Sequence, residues 1–146
     1  MLTGITHVTV LVEDQDEALD YYTGTLGFEK RDDVPTPDGR WLTVGLPHTD
    51  FPQLVLMGAD DDAQREAVGR QVPGYTAFVL TTDDCRKEYE RLSAAGVAFE
   101  GQPTEQPWGV EVYFEDLYGN RFDLLEPHEM DEAAMAALAE GTDPAA

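Results

Sequence analysis

His7 and Asp123 are the two residues whose type and setting most invite chemistry. His7 alternates with Thr9 and Leu11 in the β-branched run ITHVTVLV, so the three share one face of a strand. Asp123 alternates with Arg121 and Leu125 in RFDLL. A carboxylate on the inward face of a strand is costly unless it is paired or bound to a metal. Arg121, two positions away, could sit on the opposite edge of a cleft or at its mouth. A lone strand histidine can equally be a packed, hydrogen-bonded residue. Glu111 is the candidate general base, although strand alternation equally allows it to face water. Trp41, Tyr75, Trp108 and Tyr113 could line an apolar ligand pocket or fill a core. Trp108 stands out because Pro107, Trp108 and Gly109 form a turn that introduces a strand. His48 and His128 sit in loop-like stretches, and Cys85 lies on the buried stripe of a helix, where a nucleophilic role is not expected. There is no Gly-rich phosphate loop and no serine nucleophile elbow.

The elements that would position these side chains occur as one unit written twice. Ile5 to Val12 reads as a strand, and Asp14 caps a helix with Glu17 in a capping-box position. Ala18, Leu19, Tyr22 and Leu26 make its apolar stripe, and Gly27 ends it. Strands follow at Phe28 to Arg31, Arg40 to Leu46 and Gln53 to Met57. A polar linker carrying Asp60, Asp61 and Asp62 leads to a second strand–helix pair, Tyr75 to Thr81 and Asp83 to Gly96. Strands at Val97 to Glu100, Val110 to Glu115 and Arg121 to Glu126 complete it. Asp83 or Asp84 caps the second helix, so each half is βαβββ, and the segments Asp14 to Gly27 and Asp83 to Gly96 are offset by 69 positions. Two copies are too few for a solenoid, so the copies are expected to pair their sheets around one cleft in an α+β fold. Module one spans 3–59 and module two 73–127, within a single domain 1–127. Asp131 to Glu140 reads as a short terminal helix, with a loose tail from Thr142 to Ala146.

Composition narrows the partners. The 146 residues, 42% of them apolar, suffice for about one packed domain. Thirty acidic residues against nine basic ones leave a net charge of −21, which excludes a phosphate-binding surface for nucleic acid and disfavours anionic membranes. The acids run from Glu13 to Asp143 rather than forming one tail, and the only lysines are Lys30 and Lys87. This profile resembles that of proteins from salt-accumulating halophiles, the plainer alternative being an ordinary acidic bacterial protein. One cysteine permits neither an intrachain disulfide nor a cysteine-based zinc site. With no basic leader and no apolar run of membrane-spanning length, a cytoplasmic protein is expected.

ITHVTVLVEDQDEALDYYTGTLGFE, TTDDCRKEYERLSAAGVAFE and PTEQPWGVEVYFEDLYGNRFDLLEP together resemble the vicinal oxygen chelate superfamily, which includes glyoxalase I, extradiol dioxygenases, and bleomycin and fosfomycin resistance proteins. The resemblance covers nearly all of residues 3–127, with Leu117 where the family's turn usually has proline. It implies two βαβββ modules pairing into an open, U-shaped mixed β-sheet half-barrel with flanking helices, and a homodimer. In metal-using members, four ligands come from the first and fourth strands of each module. Carried over, these positions fall on His7, near Val55 with Gln53 two residues earlier, on Thr76 or Ala77, and on Asp123. His7 and Asp123 match, Gln53 is a weak third ligand, and Thr76 and Ala77 supply none. Such a set would suit zinc, iron, nickel or manganese, whose open positions would take two adjacent substrate oxygens. Two readings follow. One is a glyoxalase- or dioxygenase-like enzyme using a divalent metal, and the other is a metal-free small-molecule binding protein of the bleomycin-resistance type.

Overall fold

His7–Val12 forms strand β1 because its β-branched residues suit a half-covered sheet, with Val10 and Val12 fully buried and His7 and Thr9 on the open face. The computed structural model describes Met1 to Gly141, and the tail expected from Thr142 lies outside the described residues. Helix α1, Gln15–Asp20, starts at Asp14, whose side chain accepts from the Glu17 backbone N–H at 2.9 Å. The expected reciprocal half of the capping box is replaced. The Asp14 N–H donates to the Tyr118 hydroxyl, and that hydroxyl donates to Glu17 Oε1 at 2.9 Å.

The helix expected to run unbroken to Gly27 changes instead into a π-helical turn over Tyr21–Thr25, closed by the Leu26 N–H on the Tyr21 carbonyl. The Thr23 hydroxyl donates back to the Leu19 carbonyl at 2.7 Å, a competing bond that loosens the regular ladder. Gly27, at φ +90°, then turns the chain out.

Strand β2 is Glu29–Thr36, β3 Gly39–Gly45 and β4 Gln53–Gly58. β2 outruns its expected end at Arg31 because the pairing with β3 slips between Lys30 and Asp33, and the Asp32 N–H at the slip donates to the Thr43 hydroxyl. The four strands lie in the order β1-β4-β3-β2, with β1 parallel to β4 and the other pairs antiparallel. The free edge of β1 is engaged by Gln71, which donates from Nε2 to the Thr9 carbonyl and accepts at Oε1 from the Leu11 N–H. That side chain follows helix α2, Asp62–Ala67, where a linker was expected. Asp61 of the acidic run caps this helix by accepting from the Gln64 N–H.

The second sheet begins with β5, Phe78–Thr81, three residues later than expected, because Tyr75 is held in a turn by its N–H on the Val72 carbonyl. Helix α3, Cys85–Ala94, is capped by Asp84 and followed by Gly96 at φ +94°. The strand expected at Val97 to Glu100 is the short β6, Ala98–Phe99, and beyond Gly101 and Pro103 an additional strand that was not expected forms, β7, Thr104–Gln106. Both pair with β8, Gly109–Glu115, which pairs with β9, Arg121–Pro127. This half is thus βαββββ rather than βαβββ. Its order is β5-β9-β8-β6, with β7 also on β8, and β5 parallel to β9. Helix α4, Glu132–Ala139, begins at the Asp131 cap.

Both sheets are mixed and open, which makes the fold α+β. The chain divides into two compact units, Met1–Tyr75 with Asp116–Asn120, and Thr76–Glu115 with the chain from Arg121 onward. The first core is Val10, Val12, Tyr22, Leu42 and Leu56, all fully buried. In the second, Phe114 stacks on Phe122 at 4.9 Å, and Phe99 joins Phe114 to Tyr89 of α3. No helix among the described residues is long and apolar enough to cross a membrane.

Candidate ligand-binding site

In the first unit, strand pairing sorts side chains to two faces. Leu42, Val44, Leu54 and Leu56 join the core, while Trp41, Val55 and Met57 share the opposite face with His7 and Thr9. A cavity of about 430 Å³ opens on that face, floored by Thr9, Val55 and Met57 and walled by Trp41, Arg40 and Gln15. Trp41 remains 39% exposed and Met57 40%, an unusual investment of large apolar surface on a sheet face. Polar groups hold the wall in place. Arg40 donates to Asp33 and Asp16 at 2.7–2.9 Å, and Gln15 Nε2 donates to the Leu56 carbonyl at 2.9 Å.

His7 is exposed and stands with its ring 5.4 Å from that of Trp41, tilted 56°. Its Nδ1 is 2.9 Å from the Thr6 hydroxyl. In register, His7 lies beside Gln53. Gln53 Oε1 already accepts from the Thr43 hydroxyl at 2.8 Å, so the amide oxygen that a metal would need is engaged.

In the second unit, β8–β9 pairing sets Tyr113 opposite Asp123 and Glu111 opposite Leu125. Glu111 is 4% exposed and Asp123 9%, so the water-facing alternative for Glu111 does not hold. Burial pushes the Asp123 carboxyl up to about 7, helped by the hydrogen bond and charge of Glu111 and opposed by Arg121. The Tyr113 hydroxyl donates to Glu111 Oε1 at 3.3 Å, and burial followed by the Glu111 charge raises that phenol as well. Arg121 lies 3.8 Å over the Tyr113 ring while its Nε donates to Glu100 at 2.7 Å.

The other sequence candidates divide. Trp108 is half-buried in the turn before β8, its carbonyl accepting from the His128 N–H. Tyr75 stands 72% exposed outside β5. His48 and His128 are exposed, and His128 meets Glu126 at 3.2 Å. Burial, then the charge of Glu126, pushes the Cys85 thiol up to about 11, which disfavours the nucleophilic thiolate. Met57, Arg40, Gln15 and Gln71 were not singled out from sequence. Alternation in QLVLMG carries a signal for Met57 alone, since the other three act through contacts distant in the chain.

The profile of the Glyoxalase/Bleomycin resistance protein/Dioxygenase superfamily matches residues 4–124. The chain belongs to this superfamily. A relative from Shewanella frigidimarina (strain NCIMB 400) is 37% identical over 128 residues, covering 86% of this chain and 95% of its own. The crystal structure of UcmS2 is 38% identical, with a TM-score of 0.75 over 86% of this chain and 99% of that one. TnmS3, described as an antibiotic binding protein from Streptomyces sp. CB03234, is 32% identical, with a TM-score of 0.72 over 87% of this chain and 98% of its own.

Membership of the superfamily raises the question of a divalent metal, which the donors present fit poorly. Among the described residues no three His, Cys, Asp or Glu side chains gather to hold an ion. The residue beside His7 is an amide already engaged, and the nearest acid to Asp123 is a second carboxyl that stabilises its protonated form.

Proposed function

We propose that this protein captures an organic small molecule against the open face of its first sheet, without a resident metal. Trp41 is the observation that carries this reading. An indole kept partly open above an apolar floor of Val55 and Met57 offers a stacking surface for a planar ligand. The poor metal donor set points the same way, and the antibiotic-binding description of TnmS3 makes antibiotics the first ligands to try. The extended N-terminal segment exposes Met1, Leu2 and Ile5, apolar surface that a second copy would cover in a homodimer. The −21 charge is in keeping with a salt-accumulating cytoplasm.

The test is Trp fluorescence titration with a panel of planar antibiotics, bleomycin included, in excess EDTA. Saturable quenching is expected in the wild type and in Trp108→Phe, and is lost in Trp41→Ala. Binding that requires added metal, or that Trp41→Ala leaves unchanged, overturns the reading.

The glyoxalase- or dioxygenase-like enzyme has one observation in its favour. Asp123, pushed up to about 7 beside Glu111, is poised where a carboxyl can both give and take a proton at neutral pH. Turnover abolished by Asp123→Asn, with ligand binding retained, would establish that reading.

A further inference from the structure

The cavity on the first sheet has one polar side chain whose own hydrogen bonds leave it half used. We propose that Gln15 determines the specificity of this cavity, accepting a hydrogen bond from an N–H at the edge of a planar heteroaromatic ligand that carries no negative charge. The inference rests on the small-molecule capture reading and adds to it the chemical class of the ligand.

Gln15 lines the cavity from the start of α1 and is half-buried. Its Nε2 donates to the Leu56 carbonyl at 2.9 Å and to the Arg40 carbonyl at 3.3 Å. Only the NH2 end of an amide can meet two carbonyls, so both amide protons are used and the orientation of the group is fixed. Oε1 is the end left over, an acceptor with no donor on it among the described residues. Gly58, also in the cavity wall, leaves space beside it. A Cβ at that position would stand 3.7 Å from Oε1, and a longer side chain would close over the oxygen. An acceptor held in place beforehand asks little further ordering of the protein when a ligand donor arrives.

The rest of the wall does not suit an anion. Arg40, its one cation, places Nε and Nη2 on Asp33 at 2.8 and 2.9 Å and Nη1 on Asp16 at 2.7 Å. Trp41 Nε1 donates to Asp32 at 3.4 Å. The other charged groups of the wall, Asp38 and Asp60, are both carboxylates. A ligand carboxylate would give up its hydration here without a cation to replace it. A flat ring lying against Trp41 with an N–H at its edge would instead keep its polar group hydrogen-bonded. The same ring without that donor would displace water from Oε1 and leave the oxygen unpaired, which is how a polar site rejects an analogue.

The probes are norharmane, whose indole N–H is the donor, 9-methylnorharmane, which lacks it, and β-carboline-3-carboxylate, which keeps it and adds a negative charge. Calorimetric titrations of the full chain are made in mildly alkaline buffer, where the pyridine nitrogen is uncharged. Molar KCl prevents the net charge of the whole surface from deciding the result for the anion. Norharmane is expected to bind at least about tenfold more tightly than either analogue, and Gln15→Met to abolish its advantage over 9-methylnorharmane. In the unaltered protein, the side-chain carbonyl ¹³C signal of Gln15 should shift saturably with norharmane alone, while that of Gln106 on β7 stays still. This second measurement does not depend on the folding of the variant.

Equal affinity for norharmane and its methyl derivative overturns the proposal. So does an advantage that persists in Gln15→Met, which would be steric, a carboxylate that binds as tightly as norharmane, or a Gln15 signal that moves no more than that of Gln106. Trp41→Ala separates the two readings. If it leaves norharmane binding unchanged while the Gln15 effects hold, stacking on Trp41 fails alone. If antibiotics bind through Trp41 and norharmane shows no preference or no binding, the role of Gln15 fails alone. If neither antibiotics nor norharmane bind, both fail.

Discussion

Asp123 lies against Glu111 on one face of the second sheet, each less than a tenth exposed, and the hydrogen bond between them favours the protonated acid. Burial comes first in raising Asp123 to about 7, and Glu111 adds to it. In the unfolded chain the same carboxyl returns to 3.8. Between those values the native state holds the extra proton, so this group makes stability fall as pH rises from about 4 to about 7. Urea midpoints across that range should drop in the wild type and drop less in Asp123→Asn, which is neutral throughout. A steeper drop in the variant would contradict the assignment.

Tyr22 tests a different buried acid. Its hydroxyl donates to Asp116 Oδ2 at 2.6 Å, and Asp116 also accepts from the Asn120 side chain and from the backbone of Tyr118 and Asn120. Burial first, then the Asp116 charge, raises the phenol well above its ordinary value, so it stays a donor at any working pH. Tyr22→Phe removes one charge-assisted bond from a fully buried ring and should cost about 2 kcal/mol in equilibrium urea unfolding. A loss below about 0.5 kcal/mol would mean that Asp116 is satisfied without it.

The parts readable in the sequence are those governed by local chemistry. Asp14 caps its helix, Gly27 and Gly96 turn the chain at positive φ, and β-branched alternation in ITHVTVLV separates the core valines from His7 and Thr9. Asp83 and Asp84 were equally good caps by type, and only the geometry selects Asp84. The misses depend on distant contacts. The Thr43 hydroxyl makes the charged stretch after Arg31 a strand by meeting Asp32 at the bulge, and Tyr118 displaces the capping-box partner of Asp14 from more than a hundred residues away.

The candidate site follows the same division. Type and alternation mark His7, Trp41 and Asp123 as candidates. The pairing of Asp123 with Glu111 depends on β8–β9 register, and strand composition does not specify it. Trp108 attracted attention through its turn, yet Trp41, in the middle of β3, is the indole that lines the cavity.

Gly109 offers a backbone test within the second sheet. At φ +150°, a Cβ built on it would collide with the carbonyl oxygen of Glu126 on the neighbouring strand. Gly109→Ala should therefore cost more than about 2 kcal/mol, because the obstruction is backbone and cannot swing aside. Gly101, at φ +115° with open space around its missing Cβ, is the control. Gly101→Ala carries the conformational strain without the collision and should lose about 1 kcal/mol. Thermal unfolding of the two variants should rank them in that order, and equal losses would show that β8 and β9 separate readily at this end.

Salt should act on the whole molecule. With 30 acidic and 9 basic residues, repulsion between like charges opposes the compact state, and molar salt, with a Debye length of about 3 Å, screens it. Exposed pairs such as Arg65–Asp62 and Arg91–Glu88 weaken under the same conditions, but each is a surface interaction worth about 0–1 kcal/mol. Repulsion among 21 uncompensated charges outweighs them, so the thermal midpoint should rise steadily from low salt to molar KCl. KCl and NaCl should act alike if screening is the cause, whereas sulfate should exceed both by strengthening apolar burial. A midpoint that falls as KCl is added would show that the ion pairs outweigh the net charge and would remove the physical basis for salt adaptation.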